Sequence, residues 1–180
     1  MSIKYFLDDL TAQTKSQSIL VNLKWFLTCH TLHLTFFIRL GQSLRRVPLI
    51  GRILGFFVEY FIRIVFASDV SCRASIGPGF IVVHGHDIVI GADVVIGRGC
   101  KIFNGVSLGN KNIDLSSHEN QPIVGDFVVM STGAKILGHV NIGANSVIGA
   151  NSVVLKDIPA GSVVVGVPGR VVGIRSNAGI

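Results

Sequence analysis

Over residues 69–180 an aliphatic residue returns every six positions. Val70, Ile76, Val82 and Ile88 begin the series. Ile90, Ile96, Ile102 and Leu108 continue it, and Val124, Met130, Ile136, Ile142, Ile148 and Val154 complete it. Four places after most anchors stands a small or β-branched residue: Ala74, Val94, Cys100, Val106, Val128, Ala134, Val140, Ser146 or Ser152. Glycine often follows the anchor, as at Gly77, Gly91, Gly97, Gly125, Gly143 and Gly149. A helix of 3.6 residues per turn cannot hold a period of six, and simple strand alternation does not explain the glycines. A solenoid of short strands and tight corners explains both, with three hexapeptides (about 18 residues) closing one coil. The anchors point inward and glycine supplies the backbone angles of the corners. Cys100 falls in a small-residue slot and reads as core.

Two interruptions break the phase. Ile88 and Ile90 are both anchors, so the register slips by two, and His84 lies in the slip. Between Leu108 and Val124 the polar stretch GNKNIDLSSHENQP must leave the solenoid, which predicts an extruded loop over 109–122. Loops carried on rigid scaffolds often bear function.

Before Ser68 the pattern is helical. Leu20, Leu23, Phe26 and Leu27 recur at helical spacing, as do Leu32, Phe36, Phe37 and Leu40, and Ile53, Phe56, Phe57, Tyr60 and Phe61. Gly41 and the Pro48/Gly51 pair punctuate them. The expected organisation is a small helical region over 1–68, a solenoid domain over 69–173 and a tail over 174–180.

Composition sharpens this picture. The chain has 180 residues, 49% hydrophobic and only 14% charged, which excludes disorder over most of its length. Of the 21 glycines, 18 follow residue 68, and they keep no period of three, so collagen is excluded. The net charge is +6, and residues 1–68 carry 8 Lys/Arg against 3 Asp/Glu. The helical stripes therefore have two readings. They pack against the solenoid or a sister subunit, or they form an apolar face that rests on an anionic membrane with Arg39, Arg45, Arg46, Arg52 and Arg63 at its margin. Nucleic acid is not expected, because bulky aliphatics interrupt the basic residues and no binding motif accompanies them. The N-terminus lacks the apolar core of a secretory signal. The longest greasy stretch, 49–67, is broken by Arg52, Glu59 and Arg63, short of what a spanning helix needs. Cys29, Cys72 and Cys100 form no close pair, which fits a reducing cytoplasm and no cysteine-based metal site.

Several stretches resemble the hexapeptide-repeat acyltransferases, within them the serine acetyltransferase-like branch, which includes short enzymes that O-acetylate surface polysaccharides of the colanic-acid type. The likeness rests on Asp69-Val70, VVHGHDIVIG at 82–91, VSLGN at 106–110, PIVGDFVVMSTGAKILG at 122–138 and VIGANSVVLKDIPAGSVVVGVPGRVVG at 147–173. It implies an all-β, left-handed parallel β-helix with a small N-terminal α-helical region, assembled as a homotrimer or a dimer of trimers. It also implies acetyl-CoA held between neighbouring solenoids as a substrate, with no metal. By position, His84 matches the family's catalytic histidine and Asp69 its partner carboxylate. Gly109, Ser131, Gly133, Ala134, Lys156 and Arg170 match stretches that line the coenzyme, the last two as phosphate partners.

The chemistry suits those residue types. Acetyl transfer to an alcohol needs a base for the hydroxyl proton, and imidazole titrates near neutrality. A carboxylate on the far ring nitrogen fixes the tautomer and stabilises the imidazolium. His84 is therefore the expected base and Asp69 its orienter, with direct transfer in a ternary complex. Asp87 is a rival carboxylate. His86 reads as a supporting or a surface residue. In the loop, where the family often has a histidine directly before Pro, Pro122 follows Gln121, so either His118 or Gln121 is a candidate for the acceptor side. His30, His33 and His139 read as structural or exposed.

The acceptor has two readings. Serine-specific members place an Asp just before the catalytic histidine, and this chain has Val83. They place an Arg-His pair before the loop's Pro, and this chain has Asn120-Gln121. An unpaired ammonium in a closed site is costly, so the expectation is a sugar hydroxyl of a glycan, with the basic N-terminal region at the inner membrane face. The alternative is serine O-acetylation for cysteine biosynthesis, a reading that the final Ile180 shares with that group. A further alternative is a trimeric β-helix metal enzyme of the carbonic anhydrase type, because His84 and His86 are spaced to share one strand face.

Overall fold

The computed structural model describes residues 2–112, 114, 116 and 120–175. Four helices come first: α1 (Ser2–Thr14), α2 (Ile19–Thr28), α3 (His30–Leu44) and α4 (Ile50–Phe66). Fifteen short strands follow, and they stack into three parallel ladders, the walls of a triangular prism. The first wall holds β1 (Asp69–Val70), β4 (Val89–Ile90), β7 (Ser107–Gly109), β10 (Lys135–Leu137) and β13 (Val153–Val154). The second holds β2 (Ser75–Ile76), β5 (Val95–Ile96), β8 (Ile123–Val124) and β11 (Asn141–Ile142). The third holds β3 (Ile81–Val82), β6 (Lys101–Ile102), β9 (Val129–Met130), β12 (Val147–Ile148) and β14 (Ser162–Val165), with β15 (Arg170–Ile174) antiparallel at its end.

The six-residue repeat becomes this prism because each strand from β1 to β13 buries one anchor. Val70, Ile76, Val82, Ile90, Ile96, Ile102, Leu108, Val124, Met130, Ile136, Ile142, Ile148 and Val154 are all at most 4% exposed and form one continuous core. The coils lie in register at 18 residues from Val89 to Ser107 and from Lys135 to Val153. The offset is 20 from Asp69 to Val89, which places the two extra residues between β3 and β4. It is 28 from Val95 to Ile123, which places the remaining insertion between β7 and β8.

The helices cap the first coil. Leu34 and Ile38 of α3 and Ile62 and Phe66 of α4 are buried in the same core as the coil anchors. On α3 the buried face runs through Thr31, Leu34, Thr35 and Ile38, so of its expected stripe Leu32 is buried while Phe36, Phe37 and Leu40 are half-buried, and α2 buries none of its residues. On α4, Ile50, Ile53, Leu54, Phe56, Phe57, Tyr60, Phe61, Ile64 and Val65 stay 40–65% exposed. The stripes read from the sequence leave out α1, yet that helix carries the anchor of the layer. Asp9 forms a buried ion pair with Arg39, at 2.7 Å. Arg39 is therefore not at the margin of an exposed face, as its place in an apolar stripe suggested. Its guanidinium also donates to the carbonyls of Ile76 and Gly77. Arg45 is likewise drawn inward by Glu59, and Arg63 pairs with Asp69. Of the five margin arginines, Arg46 and Arg52 alone keep no ion pair among the described residues.

Among the described residues, no helix is long and apolar enough to cross a membrane. All three cysteines are free. Burial pushes the Cys72 thiol up to about 12 and that of Cys100 up to about 11, so neither is a nucleophile at neutral pH. A thiol reagent applied to the native protein is expected to label Cys29, which is half-buried, and to reach Cys72 and Cys100 only after denaturation. Rapid native labelling of two or more thiols would contradict that packing.

Candidate active site

His84 lies where the prism is irregular. In later coils four residues turn the corner between the third and first walls, as in 103–106 between β6 and β7. The first such corner, 83–88, has six. The extra length carries His84 outward: it is exposed, and its ring meets Phe103 edge-on at 6.1 Å. The next residue goes the other way. Gly85 is buried beneath α3, where a Cβ would meet Leu34 at 3.1 Å and His30 at 3.4 Å. A larger residue at 85 would lift the corner and move His84 with it. His86 is exposed, and its carbonyl accepts the Gly105 N–H.

Down the same edge, one residue per coil adopts a left-handed φ: Asp87, Gly105, Gly133 and Asn151, at 55–73°. Asp87 thus has a conformational job, which Asp tolerates better than most side chains do. The edge is stitched by Gly133 N–H to the Asn104 carbonyl and by Asn151 N–H to the Thr132 carbonyl, each at 2.9 Å. Ser131, Gly133 and Ala134 therefore stand on the same edge as His84, further along the axis. Gly133 has no room for a Cβ, which would strike the Asn151 side chain. Lys135 reaches back from β10 to the Gly105 carbonyl and the Ser107 hydroxyl.

Asp69 is close to this corner through the backbone. Its N–H donates to the Ile88 carbonyl, and the Asp87 N–H donates to the Ala67 carbonyl. Its carboxylate, however, accepts a 2.6 Å bond from Arg63, and no hydrogen bond joins it to His84 among the described residues. The carboxylate in turn raises the affinity of Arg63 for its proton.

The other sequence candidates divide between two places. Gly109, Gln121 and Lys156 lie at the edge between the first and second walls, not at the His84 edge. Gly109 has open space on its side-chain face. Gln121 is buried and used at both ends: it accepts from the Asp93 N–H and donates to Asn110 Oδ1, each at 2.8 Å. The amide thereby fixes the root of the loop. Arg170 is exposed at the start of β15 and, like Lys156, has no ion pair among the described residues. His118 lies outside the described residues, as does Ile180. His33 holds the Phe26 carbonyl, His30 stacks on Phe66, and His139 is exposed. Among the described residues, no three His, Cys, Asp or Glu side chains gather as metal ligands.

Sequence reasoning proposes His84 by position within the resemblance and notes that it lies in the register slip. It missed Phe103, Asn104 and the capture of Asp69 by Arg63, none of which leaves a trace in the repeat.

Comparison with known proteins gives one consistent group. No family model matches the chain. A serine acetyltransferase of Synechococcus elongatus is 38% identical over 128 residues, which are 71% of this chain and 50% of that protein. The chain thus spans about half the length of that curated relative. The crystal structure of Neisseria gonorrhoeae serine acetyltransferase superposes with a TM-score of 0.86 at 30% identity, over 98% of this chain and 68% of that one. A serine acetyltransferase solved in complex with CoA superposes with a TM-score of 0.80 at 30% identity, over 95% and 69%.

Proposed function

The chain belongs to the serine acetyltransferase-like branch of the hexapeptide-repeat acyltransferases, and from that premise we propose that it is an O-acetyltransferase that moves an acetyl group from acetyl-CoA to an acceptor hydroxyl. The observation that carries the proposal is the shared edge: an exposed imidazole on a lengthened corner, above the glycine-bearing turns of 131–134. His84 takes the hydroxyl proton as the oxygen bonds to the acetyl carbonyl carbon. When the carbon–sulfur bond breaks, the same proton passes to the departing thiolate, so no group on the enzyme is acylated. Asp69 serves as the positioning carboxylate once it turns from Arg63 to the imidazole. Arg170 and Lys156 offer charge to the coenzyme's phosphates, and Gly109 leaves room beside the loop root.

We take the assembly to be a homotrimer. Within one chain, a wall of the prism separates the His84 edge from the edge of Gly109 and Lys156. A neighbouring copy packed alongside brings one edge against the other, so the complete site needs two chains. The three free thiols suit a reducing, cytoplasmic setting.

For the acceptor, the named relatives favour L-serine over the sugar reading drawn from the sequence. The sugar of a surface glycan keeps one specific observation. Val83, half-buried and fixed by its N–H to the Ile102 carbonyl, offers no charge beside His84 for an ammonium. The test is thiol release from acetyl-CoA with serine and with a panel of nucleotide-sugars and oligosaccharides. Val83→Asp is expected to raise kcat/KM for serine about tenfold or more, the scale of one hydrogen bond to a charged group. An unchanged value would remove Val83 as a determinant of acceptor choice. Turnover with neither acceptor class would reject the proposed activity.

A further inference from the structure

Arginines gather at another edge of the first coil, between its first and second walls. A cavity of about 770 Å³ opens between α1, the turn joining α3 to α4, and the corner between β1 and β2. Arg45, Arg46, Arg52 and Arg73 line it, with Tyr5 and Gln42, and no carboxylate is among its lining residues. Glu59 engages Arg45 and Asp93 engages Arg73, so two cationic heads remain uncompensated, those of Arg46 and Arg52. Two uncompensated guanidinium groups beside those of Arg45 and Arg73, with no acid in the lining, fit phosphate oxygens better than any neutral ligand.

The cavity adjoins the apolar face of α4, since Arg52 belongs to both. At 100° per residue, Gly51, Gly55 and Ile62 define the packed side of the helix. Ile53, Phe57, Tyr60 and Ile64 point the opposite way, and Arg52 and Arg63 fall together on one flank. The helix's single acid, Glu59, faces inward, accepting from Arg45, the Ser71 hydroxyl and the Cys72 N–H. An exposed aromatic and aliphatic face of this size marks an interaction surface. Two occupants would cover it: a lipid bilayer or a second copy of the chain. The charge decides between them. Residues 1–68 carry a net +5, so a symmetric self-contact sets cation against cation, whereas an anionic bilayer complements both face and cavity.

We propose that the arginine cavity binds a phosphate, and that the phosphate is the headgroup of an anionic membrane lipid into whose bilayer the α4 face settles. This goes beyond the acetyl-transfer reading and does not depend on it. The test floats the full chain with vesicles of phosphatidylcholine alone and of phosphatidylcholine mixed with phosphatidylglycerol. Pyrophosphate serves as the soluble probe, and light scattering reports the assembly size. Binding to the mixed vesicles alone is expected. Arg46→Gln with Arg52→Gln should weaken it about tenfold or more, and Phe57→Ser with Ile64→Ser should weaken it comparably. Both pairs should keep the native circular dichroism and thiol release with a soluble acceptor, and His84→Ala should float like the parent. Equal binding to neutral vesicles would overturn the role of the cavity. Arginine-dependent pyrophosphate binding without vesicle binding would overturn the lipid assignment in favour of a soluble phosphate. A smaller assembly for the Phe57/Ile64 variant, without vesicle binding, would overturn the proposal in favour of a second copy.

Discussion

His84→Ala should lower acetyl transfer about 10²- to 10⁴-fold, the usual share of a positioned general base, without disturbing the fold. The imidazole is exposed, takes part in no hydrogen bond among the described residues and touches Phe103 only edge-on, so its removal opens no cavity in the prism. The loss should fall on kcat and kcat/KM together, because proton removal belongs to the transition state and not to binding. His86→Ala is the internal control. His86 is exposed two residues on, and it contributes its backbone carbonyl, not its ring, to the corner. Its substitution should change turnover far less. The measurement is thiol release at saturating acetyl-CoA and acceptor, paired with thermal unfolding and light scattering on each variant. Undiminished turnover in a folded His84→Ala assembly would end the assignment. Stoichiometric zinc or iron in the purified protein, lost in His84→Ala, would put a metal mechanism in its place.

The prism was legible because its information is periodic. Each anchor repeats the same instruction, and an interruption such as the slip at 82–90 stands out against it. The two insertions marked the corner that carries His84 and the root of the loop, while the role of His84 came from the resemblance. Partner choice between side chains carries no period, and there the reading ended. The resemblance pairs Asp69 with His84 by position, yet Arg63, six residues before it, holds the carboxylate. Gln121 was a candidate for the acceptor, yet the Asp93 N–H and Asn110 lie in reach of its amide and take both ends. Helix α1 was missed for a related reason. Its sequence SIKYFLDDLTAQT carries only a short stripe, Ile3, Phe6, Leu7 and Leu10, and its hold on the solenoid comes through a charge. A charge beside an apolar stripe normally marks the wet margin of a helix. Arg39 defeats that rule because its partner is thirty residues away, on another helix.

That pair supplies the second large effect. Asp9→Asn should destabilise the protein by about 3–5 kcal/mol, the scale for leaving one member of a buried ion pair alone. Asp9 is fully buried and Arg39 is 1% exposed, so water cannot take over the lost charge. Burial pushes the Asp9 carboxyl up, and the Arg39 guanidinium and the Phe80 N–H pull it back. The neutral amide also forfeits one acceptor atom, where Asp9 receives both Arg39 and the Phe80 N–H. Arg39→Met should be comparably harmful, because the Ile76 and Gly77 carbonyls and the Asp9 carboxylate lose their donor together. Asp9→Asn with Arg39→Met removes both charges, yet two carbonyls of the first coil lose their donor. The double variant is therefore expected to be less stable than the parent but more stable than the two single losses summed, with a coupling of about 1–3 kcal/mol. Urea unfolding of all four proteins reads this directly. Additive losses would mean that α1 is held by its apolar contacts alone. In that case the ion pair, for all its burial, would not be what fastens the helical layer to the base of the prism.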